Sequence, residues 1–143
     1  MTEGAAEPSE RGLASGHAFE SFDWRHVTVD GADGAMEMKI TPKVVNSSGA
    51  LQGGLLATLI DMVAGMTLLR GEDAYVRSAT SEMQISFLAG ARIGPVRAEA
   101  RVLRRGYRSA VVRVDVYDVG ADDLHVATAT LSFAVKSGET GAA

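Results

Sequence analysis

Five stretches of this chain alternate apolar and polar residues with a period of two, the pattern of half-buried strands. Over residues 35–40, Met36, Met38 and Ile40 share one face, and Glu37 and Lys39 the other. Over 82–87, Met83, Ile85 and Phe87 oppose Glu82, Gln84 and Ser86. Over 96–102, Val96, Ala98, Ala100 and Val102 oppose Arg97, Glu99 and Arg101. Val112, Val114 and Val116 oppose Arg113, Asp115 and Tyr117; Ala127, Ala129, Leu131, Phe133 and Val135 oppose Thr128, Thr130 and Ser132. Gly94-Pro95, Gly106 and Gly120 punctuate these runs as turns.

Residues 54–70 break the pattern. Leu55, Leu56, Ala57, Leu59, Ile60, Met62, Val63, Ala64, Met66, Leu68 and Leu69 put apolar groups on nearly every side. The run is too long for a strand and holds no proline, which predicts a helix. A helix apolar all round needs cover all round. Strands are the only cover this chain offers, so the sheet must curl around the helix, with further burial from a partner subunit. The expected class is α+β, an antiparallel sheet wrapped around one long central helix.

Residues 1–18 and 137–143 are rich in Ala, Gly, Ser and Glu and read as tails, leaving one domain over 19–136. The 143-residue length suits a single core. A net charge of −4 supplies no basic field for nucleic acid. No cysteine is present, which excludes disulfides, thiolate metal sites and a cysteine nucleophile. The first residues carry Glu3, Glu7, Glu10 and Arg11 and no apolar run, unlike a signal peptide. The apolar stretch 55–69 is interrupted by Asp61 and is shorter than the roughly 20 residues of a membrane span. A soluble cytoplasmic protein is the expectation.

Two features carry chemistry. Asp61 stands in the apolar helix with no Lys, Arg or His within one turn. A carboxylate there is costly to bury unless it is paired. It either bonds a neighbouring group or reaches solvent, or it is a reacting carboxylate. The second feature is the turn from Asn46 to Gly54. Gly53 and Gly54 at a helix start let a ligand or backbone approach closely. The free N–H groups of the first turn can hold developing negative charge. The plain alternative is a tight loop capped by Ser48 or Asn46.

The run Asn46-x-x-Gly49-x-Leu51-Gln52-Gly53-Gly54-Leu55-x-Ala57-Thr58-Leu59-x-Asp61 resembles the signature of hotdog-fold acyl-CoA thioesterases. The likeness is to the phenylacetic-acid-pathway type and to thioesterase superfamily member 2, and it extends over about residues 35–135. It departs at one motif position, where Gln52 replaces His. The resemblance implies hydrolysis of acyl-CoA with Asp61 as general base or nucleophile. It implies that the Gly53 N–H, helped by the Asn46 amide, polarises the thioester carbonyl. It further implies a third-strand hydroxyl that orients Asp61 or the water. Alignment gives Thr80, with Ser81 on the opposite face as the alternative. No cofactor is implied, since coenzyme A is part of the substrate.

Helix geometry adds an inference of its own. Gly53 and Asp61 are eight residues apart, roughly 12 Å along a helix. Groups acting on one carbonyl must both lie about 3 Å from it. One chain cannot supply both, so a homodimer with shared sites is expected, with further pairing into a tetramer open. Gln52 can donate and accept hydrogen bonds but cannot take up a proton, which suits an orienting role. Arg104, Arg105 and Arg108 flank a hairpin; they are either solvated or meet the phosphates of coenzyme A. His17, His26 and His125 lack metal-ligand spacing and read as structural or exposed. The main rival function is acyl-CoA binding without turnover, favoured by Gln52. A hotdog dehydratase would need a motif His, and a purely structural module would leave Gly53 and Asp61 without a role.

Overall fold

The computed structural model describes residues 13–138. In chain order it forms a short 3-10 turn (Ala18–Ser21), β1 (Trp24–Val27), β2 (Gly34–Met38), α1 (Gly53–Leu68), β3 (Arg77–Phe87), β4 (Val96–Arg105), β5 (Ser109–Asp118) and β6 (Leu124–Lys136). The strands make one antiparallel sheet in the order β1-β2-β4-β5-β6-β3. α1 packs on the concave face against β2, β3, β4, β5 and β6. This is the α+β architecture that the pattern implied, and it agrees with the hotdog fold that the resemblance implied.

The alternation decides which side chains meet the helix. Met36, Met38, Val96, Ala98, Ala100, Val112, Val114, Val116, Ala127 and Leu131 are buried and form the core with Leu59, Ile60, Val63 and Leu68 of α1. The other face of the central strands carries an ion-pair ladder. Glu99 and Asp115 lie directly opposite in the β4–β5 register. Arg97 and Arg101 bracket Glu99 at 2.9 and 3.1 Å, and Arg113 and His125 bracket Asp115 at 3.0 and 2.9 Å.

Several boundaries differ from the sequence reading. α1 begins at Gly53 and stops at Leu68, rather than covering 54–70, and Gly71 follows in the left-handed region at φ +87°. β1 has only four residues, too few for periodicity to reveal; it is fixed instead by Trp24, which is buried against Phe19. Gly94 is required in the turn before β4: its φ is +75°, and a Cβ there would lie 3.1 Å from the Ile40 backbone nitrogen.

β3 departs most from expectation. Met83 and Phe87, expected to face inward, are 41% and 56% exposed, and only Ile85 of that face is half-buried. The cause is topological: among the described residues β3 is an edge strand, paired with β6 alone. Likewise α1 is not covered all round, since Leu55, Met62 and Met66 are only partly buried. Of the expected tails, residues 13–18 and 137–138 lie within the described region, and the rest lies outside it. No helix among the described residues is long and apolar enough to cross a membrane.

Candidate active site

Asp61 is half-buried on the side of α1 that faces β3. The described residues do not enclose it; it lines an open groove of about 610 Å³. The groove is bounded by Asp61, Met62 and Met66 on α1, by Ser78 and Thr80 on β3, and by His17 from the N-terminal segment. The Thr80 hydroxyl donates to Asp61 Oδ1 at 2.6 Å, a short charge-assisted bond if the carboxylate is ionised. Ser81 is turned away and its hydroxyl donates to the Ser132 carbonyl at 3.0 Å. A β-bulge between Thr80 and Glu82 shifts the register here. Among the described residues the other oxygen of Asp61 has no hydrogen-bond donor.

The turn before α1 is built by Asn46. Its Oδ1 accepts from the Ser48 N–H at 3.0 Å, the Ser48 hydroxyl at 2.7 Å and the Ala50 N–H at 3.2 Å. Two backbone donors identify this atom as the oxygen, so the amide NH2 is the part free to donate. Gly49, at φ +83°, completes the turn, and Arg92 Nη1 donates to the Ser48 carbonyl. The turn is held to the loop between β3 and β4 by the Leu51 N–H, which donates to the Ala91 carbonyl at 2.8 Å. Gln52 is the N-cap residue; its side chain is exposed and makes no capping bond. Gly53 and Gly54 therefore begin the helix with N–H groups that have no intrahelical acceptor and no side-chain cap. An added Cβ on Gly53 would lie 3.4 Å from the Phe87 ring, so this end of α1 sits under the free edge of β3.

Gly53 and Asp61 thus occupy one unbroken helix, two turns apart, and do not converge within the chain. Arg104, Arg105 and Arg108 lie away from both, around the β4–β5 hairpin, and all three are exposed. Arg105 donates to the Asp73 carbonyl at 3.0 Å and lies over the Tyr75 ring at 5.8 Å. The Arg108 carbonyl accepts from the Val135 N–H at 3.0 Å, which brings the hairpin beside the β6 end, where Lys136 pairs in register with Arg77. Among the described residues no group of three or more His, Asp or Glu side chains could hold a metal ion.

Comparison with known proteins bears on this arrangement. Residues 48–124, which include the glycine turn, α1, β3 and β4–β5, match the family model described as the thioesterase superfamily. This chain belongs to the thioesterase superfamily. Human acyl-coenzyme A thioesterase 13 is 30% identical over 109 residues, covering 74% of this chain and 77% of the relative. The structure of zebra fish thioesterase superfamily member 2 superposes with a TM-score of 0.69 at 25% identity, over 79% of this chain and 80% of that one. A Bacillus halodurans protein solved with CoA gives a TM-score of 0.61 at 28% identity, over 71% and 66% of the two chains. The protein is therefore a thioester hydrolase of the hotdog fold.

Within this thioesterase, the structure brings together Asp61 and Thr80, both singled out in the sequence. The sequence reading missed His17, Met62, Met66 and Ser78 in the same groove. The two methionines fall one helical turn apart beyond Asp61, a spacing that could have marked them. Nothing local could have placed His17.

Proposed function

We propose that the protein hydrolyses acyl-CoA thioesters to free acid and CoA at a site shared by two subunits. The observation that carries this reading is the Asp61 carboxylate, clamped by Thr80 and facing an open groove, on the same helix as the uncapped Gly53 N–H. In the dimer, Asp61 of one subunit meets the Gly53 N–H of the other. The thioester carbonyl accepts from that N–H, with the Asn46 amide as a second donor. A water gives its proton to the free oxygen of Asp61 and attacks the carbonyl carbon. Charge develops on the carbonyl oxygen, where the helix N-terminus stabilises it. Collapse expels the CoA thiolate, which takes up a proton. Direct attack by Asp61, giving a mixed anhydride that water then cleaves, uses the same atoms. Gln52 lies at the mouth of this site as an orienting group. The relatives support CoA as the carrier: one is named an acyl-coenzyme A thioesterase and another was solved with CoA. Arg104, Arg105 and Arg108 supply the cationic surface for its phosphates.

The exposed apolar edge of β3 supports the dimer, because it leaves Met83, Phe87 and the adjoining side of α1 uncovered. Thiol release from short-chain, long-chain and aromatic acyl-CoAs, measured for wild type and Asp61→Asn together, tests the chemistry. Wild-type turnover that collapses at least a hundredfold in the variant is expected. Equal activity would remove Asp61 from the mechanism. Gly53→Pro deletes the donor at the first helical position, which accepts proline well, with its added Cβ in contact with the Phe87 ring at 3.4 Å. Mixed dimers of the two inactive chains should regain activity through one intact site.

A further inference from the structure

Composition puts His17 in a tail, whereas the structure puts it in the wall of the Asp61 groove. The segment is pinned two residues further on. Phe19 is buried, with its ring 5.5 Å from those of Phe22 and Trp24, and the Trp24 indole N–H donates to the Phe19 carbonyl at 3.1 Å. His17 is itself fixed, because its Nδ1 accepts from the Phe19 N–H at 3.0 Å and so caps the 3-10 turn. A nitrogen that accepts carries no proton, so the neutral ring bears its hydrogen on Nε2. An imidazolium has N–H on both nitrogens and cannot keep this bond. Among the described residues Nε2 has no hydrogen-bond acceptor. The groove therefore sets the Asp61 carboxylate on one wall and, on another, the held His17 ring with its Nε2–H donor.

We infer that His17 is a substrate-positioning residue whose Nε2–H donates to a carbonyl oxygen of the bound acyl-CoA. The inference rests on the Asp61 groove being the substrate site. The role is to hold the ligand, and its loss should fall on KM.

Two isosteric variants separate this role from helix capping. Asn places its amide where Nδ1 lies, so His17→Asn keeps the cap and loses the groove donor. Gln places its amide where Nε2 lies, so His17→Gln keeps the donor and loses the cap. With acyl-CoA as substrate, His17→Asn is expected to raise KM about tenfold with little change in kcat, and His17→Gln to stay within about twofold of wild type. The reverse order would show that only the cap matters and would overturn the inference. Equal loss in both would assign His17 to ring packing and overturn it too. Wild type and Asp61→Asn serve as controls. Absence of wild-type turnover overturns the underlying reading of the groove, and this inference with it. Normal turnover that is indifferent to both His17 variants overturns this inference alone.

Discussion

At the scale of single residues, the carboxylate at 61 and its hydroxyl partner define the testable chemistry. Thr80→Val keeps the shape and removes the 2.6 Å bond. Its kcat is expected to fall about tenfold, or about 1.4 kcal/mol of transition-state stabilisation. Ser81→Ala should leave kcat within about twofold, because that hydroxyl bonds the Ser132 carbonyl instead. Steady-state kinetics on both variants decide between the two hydroxyls. Asp61 was legible because a lone charge in an apolar helix demands an explanation. Thr80 was legible only as one of two neighbours, since the bulge after it breaks the alternation that would assign faces. His17 was not legible: the small polar residues around it read as a tail, and its place is set by Phe19 and Trp24.

At the scale of elements, the helix start is held by a chain of contacts that begins in β5. Asp118 is 1% exposed, and its carboxylate accepts from the backbone N–H groups of Arg92 and Ile93 at 3.0 Å and of Gly94 at 2.7 Å. The adjoining Ala91 carbonyl holds Leu51, two residues before Gly53. Asp118→Ala would remove the acceptor of three part-buried backbone donors and is expected to cost on the order of 2 kcal/mol. Denaturant unfolding measures it, and kcat should fall as well if this loop sets the Gly53 turn. The sequence held a clue, since Asp118 continues the even-numbered face of Val112, Val114 and Val116 and so points inward. The other strands were read from their alternation, whereas β1 was too short and owes its place to tertiary packing around Trp24.

For the whole molecule, the sheet has a covered face, a charged face and an open edge. On the charged face, burial pushes the Asp115 carboxyl up, but hydrogen bonds from Thr128, Arg113 and His125 outweigh it and hold the group below its ordinary 3.8. A carboxyl lowered on folding adds stability that is complete above the unfolded value and is lost as pH falls through the folded one. The Tm advantage of wild type over Asp115→Asn should therefore be constant near neutrality and shrink below about pH 3.8, as calorimetry across that range would record. At the open edge, Met83→Lys places a charge on the apolar strip without touching Asp61 or Thr80. It should yield monomers by sedimentation and lose hydrolysis with them; an active monomer would refute shared sites. That β3 would remain uncovered was not legible, because alternation reports that a face is apolar and not which molecule covers it.

The short turn that carries His17 has a practical consequence for anyone who shortens this chain. The compositional boundary at residue 19 looks like a safe place to cut, and a version beginning there would keep every described strand, α1 and the buried core residues from Phe19 onward. Yet it would lack Leu13 and His17, which close one side of the groove over Asp61. Retained strands and helix would not restore that wall of the groove, so foldedness alone is the wrong standard for choosing where to start it.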